Sequence, residues 1–123
     1  MAHTDIATGE TATLIASDKV EGTAVYNRQG ERLGTIKNFM VDKISGNVQY
    51  AVLSFGGFMG MGGDYYPIPW NMLTYDTSQG GYAVDLDKSL LENAPRYSSD
   101  KEPAFDREYG RSVYDYYGVT YPW

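Results

Sequence analysis

The chain has 123 residues, 10 basic against 16 acidic side chains, and a formal net charge of -6. It has no cysteine, and its single histidine, His3, lies at the N-terminus, which excludes disulfides, thiolate metal sites and histidine catalysis in the body of the chain. The acidic balance argues against non-specific binding to nucleic acid or anionic membrane, and no apolar run approaches the ~20 residues of a membrane span.

The length suits one domain. Residues 1–16 are small, polar and weakly patterned, and read as a flexible arm in which Leu14 and Ile15 could dock locally. They lack the basic start and apolar core of a signal peptide, so a cytoplasmic protein is expected. Gly22 to Asn27 reads as a first strand, closed by the turn Asn27-Arg28-Gln29-Gly30. Leu33 to Asp42 reads as a second. Its alternation breaks, and a bulge near Lys37-Asn38 would bring Ile36, Phe39 and Val41 to one face. The turn Ser45-Gly46-Asn47 leads into a third strand, Val48 to Phe55.

This third strand is apolar on both faces. Val48, Tyr50 and Val52 alternate with Ala51, Leu53 and Phe55. One face fills a core; the other needs a second cover, from the chain's own tail or from another subunit. Gly56 to Gly63, GGFMGMGG, reads as a loop presenting Phe58, Met59 and Met61. Tyr65 to Trp70 is a fourth strand, placed at an edge or barrel seam because Pro67 and Pro69 cannot donate to a ladder. Asn71 to Gly81 reads as a polar connection containing Leu73 and Tyr75. Tyr82 to Leu86 alternates as a fifth strand. Asp87 is placed to cap a short helix reaching Asn93, stopped by Pro95. The expected core gathers Ile36, Phe39, Val41, Val52, Ile68 and Val84.

Residues 17–95 therefore form the expected barrel domain, and 96–123 an aromatic extension. Phe105, Tyr109, Val113, Tyr116 and Tyr117 make an amphipathic stripe, with Gly118 placed to end the helix and Gly110 an apparent weak point inside it. A helix from about Asp106 to Tyr117 is marginal alone and must dock. An aromatic stripe of this size suits a two-fold interface, so a homodimer built from barrel outer faces and tails is expected.

The motifs that would signal chemistry are incomplete. The glycine loop lacks the phosphate-binding registers and joins two strands instead of opening a helix. Asp85-Leu86-Asp87-Lys88-Ser89 begins like a calcium loop, but Leu90 stands where glycine is needed and Arg96 where glutamate is needed. Asp42, Asp64 and Asp76 adjoin predicted turns, where aspartate bonds its own backbone. Ser17, Ser54 and Ser89 have no partner base. The tyrosines could stack on bases, yet a basic face is missing, so nucleic acid is not expected as a partner. No cofactor or metal is implied, and no enzyme.

Gly22, Val25, Gly30-Glu31-Arg32-Leu33-Gly34, Ile36, Phe39 and Val41-Asp42 resemble the PRC-barrel domain family. Gly46, Val48, Tyr50-Ala51-Val52-Leu53, Gly56-Gly57 and Ile68-Pro69-Trp70 continue the match, over roughly Ser17 to Leu86. The resemblance implies a mainly β fold: a small barrel of five or six antiparallel strands, here with a short helix and a helical tail. The family includes the cytoplasmic part of the photosynthetic reaction centre H subunit and a ribosome maturation factor. The chain shows neither the membrane helix of the first nor the extra domain of the second. The resemblance implies an interaction, scaffold or assembly module, with an unidentified protein partner. A small-ligand-binding barrel, or an accessory factor related to the reaction centre, is the alternative. The candidate interaction surface is Phe58, Met59, Met61, Trp70, Tyr109, Val113, Tyr116 and Tyr117.

Overall fold

The computed structural model describes residues 14–55, 64–98 and 100–122. A short helix α1 (Ser17–Val20) precedes six strands: β1 (Ala24–Tyr26), β2 (Arg32–Val41), β3 (Val48–Phe55), β4 (Asp64–Pro69), β5 (Leu73–Asp76) and β6 (Gly81–Val84). Two helices follow, α2 (Lys88–Glu92) and α3 (Arg107–Tyr117). The strands form one sheet in the order β4-β3-β2-β1-β6-β5. Its two edge strands are consecutive in sequence, joined by a single 3₁₀ turn, Trp70–Met72. The sheet is therefore curled into a half-barrel whose seam that turn spans.

Two features depart from the sequence expectation. The stretch read as a polar connection contains β5, paired antiparallel with β6 from Leu73↔Val84 to Asp76↔Gly81. The pairing that joins the first strand to the last, β1 with β6, is parallel. Local periodicity does not reveal a contact between strands so far apart in sequence.

β2 and β3 carry two bulges, and these sort the residues between faces. Ile36 pairs with Leu53 and Asn38 with Val52, leaving Lys37 unpaired. This is the expected bulge, and it keeps Ile36 and Phe39 on the barrel side. A second bulge was not expected. Met40 pairs with Tyr50 and Val41 with Val48, leaving Gln49 unpaired. Past it Val41 turns away from the barrel and is 43% exposed. The expected core needs two corrections in consequence. Val41 leaves it, and Val52, although 0% exposed, belongs to the opposite face with Tyr50. Phe39 is half-buried against the core.

The barrel core gathers Val25, Leu33, Ile36, Leu53, Ile68, Val84 and Leu91. Leu91 and Ala94 reach it from α2 and the residues just beyond. Asp87 occupies the N-cap position of α2, but its side chain makes no capping bond. Ile15 packs against this core, whereas Leu14 is exposed.

The β4 edge is sealed. Tyr65 N–H donates to the Tyr97 carbonyl at 2.8 Å, and Tyr97 N–H donates back at 3.0 Å. Backbone donors alternate in direction along a strand, so positions 67 and 69 would also point outward. Both are proline, which leaves no exposed donor for another chain to pair with.

Candidate interaction surface

The outer face of β3 and β4 is a groove floored by Tyr50, Val52, Pro67 and Pro69, all buried. Helix α3 lies in it. The sequence fixes both ends of that helix. At the start, the Asp106 carboxylate accepts from Tyr109 N–H at 2.9 Å. At the end, Gly118 adopts a left-handed φ of 71°. Gly118 N–H then donates to the Asp115 carbonyl and Val119 N–H to the Tyr114 carbonyl, at 3.1 and 3.0 Å, a Schellman motif.

The face that α3 buries is centred on Gly110, Val113 and Tyr114. Gly110 is the point of closest approach. A Cβ there would stand 2.5 Å from the Tyr50 hydroxyl and 2.6 Å from the Tyr121 ring. The glycine that looks like a defect in the helix is what lets the helix reach the groove floor. Tyr114 is 2% exposed, and its hydroxyl donates to the Gln49 carbonyl at 2.6 Å. Gln49 is the residue left unpaired by the second bulge, so Tyr114 satisfies a carbonyl at a break in the ladder. Tyr114→Phe is expected to cost about 1–3 kcal/mol in urea titration, the penalty for an unmet buried acceptor. Tyr116 ties α3 to α2 through its hydroxyl on the Leu90 carbonyl.

Of the sequence-based candidates, Tyr109, Val113 and Tyr117 meet in this seam. Val113 is wholly buried; Tyr109, Tyr116 and Tyr117 are half-buried. Trp70 lies elsewhere: its ring packs against Phe39 at 6.0 Å and Tyr82 at 5.5 Å, on the barrel cluster. Phe58, Met59 and Met61 lie outside the described residues. Sequence reasoning passed over Gly110 and Tyr114. The spacing Gly110-Val113-Tyr114-Tyr117 is itself a helical stripe, and it becomes visible once glycine is allowed as a contact residue.

The second cover that β3 requires is thus supplied within the chain. Aromatic rings continue the seam. Phe105 contacts Tyr50, Tyr97 and Tyr109 at 5.8, 5.9 and 5.5 Å, and Tyr114 contacts Tyr50 and Tyr121 at 5.8 and 5.2 Å. Burial, reinforced by Glu102, pushes the Tyr97 phenol up to about 12. Burial, reinforced by Tyr121, does the same for Tyr114. Burial also raises Tyr50, Tyr109 and Tyr117.

Unfolded tyrosine titrates near 10. Above that pH the unfolded chain has lost protons that the folded chain keeps, so folding stability falls as pH rises. The contribution of these phenols is complete below pH 10 and is lost between 10 and about 12. The slope is at most about 1.4 kcal/mol per pH unit for each such tyrosine. Tyrosinate absorbance should show their ionisation coinciding with loss of α3 protection in hydrogen exchange. Simple titration of these phenols near 10 in a folded protein would contradict this.

Two further surfaces stand apart from the seam. Asp64, Arg96, Tyr97, Ser98 and Lys101 line a shallow, open cleft of about 290 Å³. Two of its charges pair with each other: Arg96 Nε donates to Asp64 at 3.0 Å, and Arg96 Nη1 donates to the Glu92 carbonyl at 3.2 Å. At the β2–β3 hairpin, the Asp42 carboxylate accepts from Ile44 and Ser45 N–H, both at 2.9 Å. Those bonds hold the Asp42 carboxyl below the usual range. Asp76 bonds its own turn in the same way through Ser78 N–H, whereas Asp64 pairs with Arg96. On the β2–β3 hairpin turn Ile44 is 98% exposed. No helix among the described residues is long and apolar enough to cross a membrane.

The family model for the PRC-barrel domain matches residues 12–91. Among solved structures, a 16S ribosomal RNA processing protein, RimM, from Pseudomonas aeruginosa is similar, with 19% identity and a TM-score of 0.43. The match covers 68% of this chain and 50% of that one, so this chain spans half the length of that structure. Comparison with curated proteins gave no match.

Proposed function

The chain belongs to the PRC-barrel domain family, and from that premise we propose that it is a non-catalytic interaction or assembly module that binds a protein partner. The observation that carries this reading is the β2–β3 hairpin tip. Turns of this kind favour polar residues, yet here the apex holds Ile44 at 98% exposure, and Val41 at the end of β2 is 43% exposed. The Asp42 carboxylate fixes the turn before any partner arrives, so little ordering entropy remains to be lost on binding. A single exposed aliphatic on a preformed convex tip fits a shallow apolar pocket. Nothing in the fold requires it.

The test places a photo-reactive amino acid at position 44 in the native cell. The expected result is one discrete crosslinked protein, lost when Val41→Asp is added. Crosslinks no stronger than those from Thr74, an exposed position in β5, would overturn the reading. Ile44→Asp should leave stability within about 0.5 kcal/mol, as for other surface changes, because the side chain touches nothing the fold depends on.

The polar cleft at Asp64 and Arg96 supports a second reading, a small-ligand barrel. It differs in outcome. Arg96→Ala would then abolish the cellular function while the Ile44 crosslink persists.

A further inference from the structure

The seam between α3 and the groove is built unlike the barrel core. The buried side-chain polar atoms without a hydrogen-bond partner among the described residues are Asn38 Oδ1 and the hydroxyls of Tyr50, Tyr97, Tyr109 and Tyr117. Asn38 pairs with Val52 on the outer face of the sheet. Tyr50 belongs to that face, Tyr109 and Tyr117 to the helix that covers it, and Tyr97 to the strand edge beside it. A surface that leaves its polar groups unmet holds less tightly than a fully satisfied one, and segments of this kind open first.

The hinge shows a second sign. Phe105, immediately before the N-cap, has a φ of 55°. A bulky side chain in the left-handed region is strained and persists only where packing holds it, here through the rings of Tyr50, Tyr97 and Tyr109. Straightening the backbone at Phe105 would relieve that strain. Seven residues separate Tyr97, fixed to β4, from Phe105. Extended, they span roughly 23 Å, enough to carry α3 to a neighbouring barrel.

We propose that α3 is exchanged between two copies of this chain, each groove being filled by the other copy's helix in a swapped homodimer. A released helix of 11 residues does not stay folded in water. It needs a groove that accepts a backbone approach at Gly110, and the one built for it recurs on every copy. Exchange reuses the same contacts, so the closed and swapped forms differ mainly in the hinge. This surface is separate from the hairpin tip, and substitutions at Ile44 leave it untouched.

The experiment uses the full chain. Light and isotopically heavy forms, each with a photo-reactive phenylalanine replacing Tyr109, are refolded together and irradiated. The expected result is a dimer fraction that rises with concentration in light scattering, with mixed light–heavy crosslinks between α3 and β3 or β4. A monodisperse monomer at high micromolar concentration overturns the proposal. So does a dimer whose crosslinks are all of one isotope. As an independent arm, light scattering on the wild-type chain should show the same concentration-dependent dimer, and a wild-type chain that stays monomeric at high micromolar concentration overturns the proposal.

Discussion

Gly110→Leu is expected to expel α3 from its groove and to lower stability by about 3 kcal/mol or more, the upper end for overpacking a tight contact. The leucine side chain would start where a Cβ already stands 2.5 Å from the Tyr50 hydroxyl and 2.6 Å from the Tyr121 ring. Tyr50 is 1% exposed and has no room to move. Tyr121 is half-buried and can swing aside, which makes Gly110→Ala much milder. For alanine the strain is offset by a helix propensity about 1 kcal/mol better than glycine, for a net loss of ~0–2 kcal/mol. The ordering Gly > Ala ≫ Leu runs against helix propensity. Urea titration gives the stabilities, and hydrogen exchange shows whether α3 alone has lost protection. Ser112→Leu, on the exposed face of the same helix, is the control and should be nearly neutral. A stable, fully protected Gly110→Leu protein would mean that the helix does not rest on Tyr50.

Much of this architecture is legible in the sequence because it is written locally. The break in alternation between Ile36 and Phe39 locates the first bulge. Asp106 and Gly118 bracket α3, and Pro67 and Pro69 mark a strand edge. The two-sided apolar character of Val48 to Phe55 announces that something must cover its outer face. What is not legible depends on pairing between distant segments. The Gln49 bulge exists only in register with β2, and without it the alternation assigns Val41 to the core. The parallel contact of β1 with β6 has no local signature. Gly110 reads as a helix weakness until Tyr50 is seen beneath it, because propensity describes an isolated helix and the groove describes a docked one. The placement of the aromatic side chains is the least legible: Tyr109 and Tyr117 line the seam beside Val113, whereas Trp70 packs on the barrel cluster. The exposed apolar side chain that stands out is Ile44, in a turn where composition gives no warning.

β3 serves two cores, and substitutions on its two faces should separate them. Leu53 lies on the barrel side, 1% exposed, opposite Ile36 on β2 and Tyr66 on β4. Both neighbours belong to sheet ladders and cannot collapse into the space left by truncation. Leu53→Ala is therefore expected to cost about 2–5 kcal/mol, with barrel and tail lost in one transition. Tyr50→Ala removes a side chain of at least equal size from the opposite face. There the neighbours are the rings of Phe105 and Tyr114, carried by a segment that can leave. Its expected signature is local first: exchange protection is lost along α3 but kept in β2 and β3, and the uncovered barrel then unfolds in a separate step at a denaturant midpoint below that of wild type. Hydrogen exchange read element by element distinguishes the two. If Tyr50→Ala instead lowers protection uniformly, α3 and the barrel are one cooperative unit, and the helix is core structure, not a cover that can be lifted.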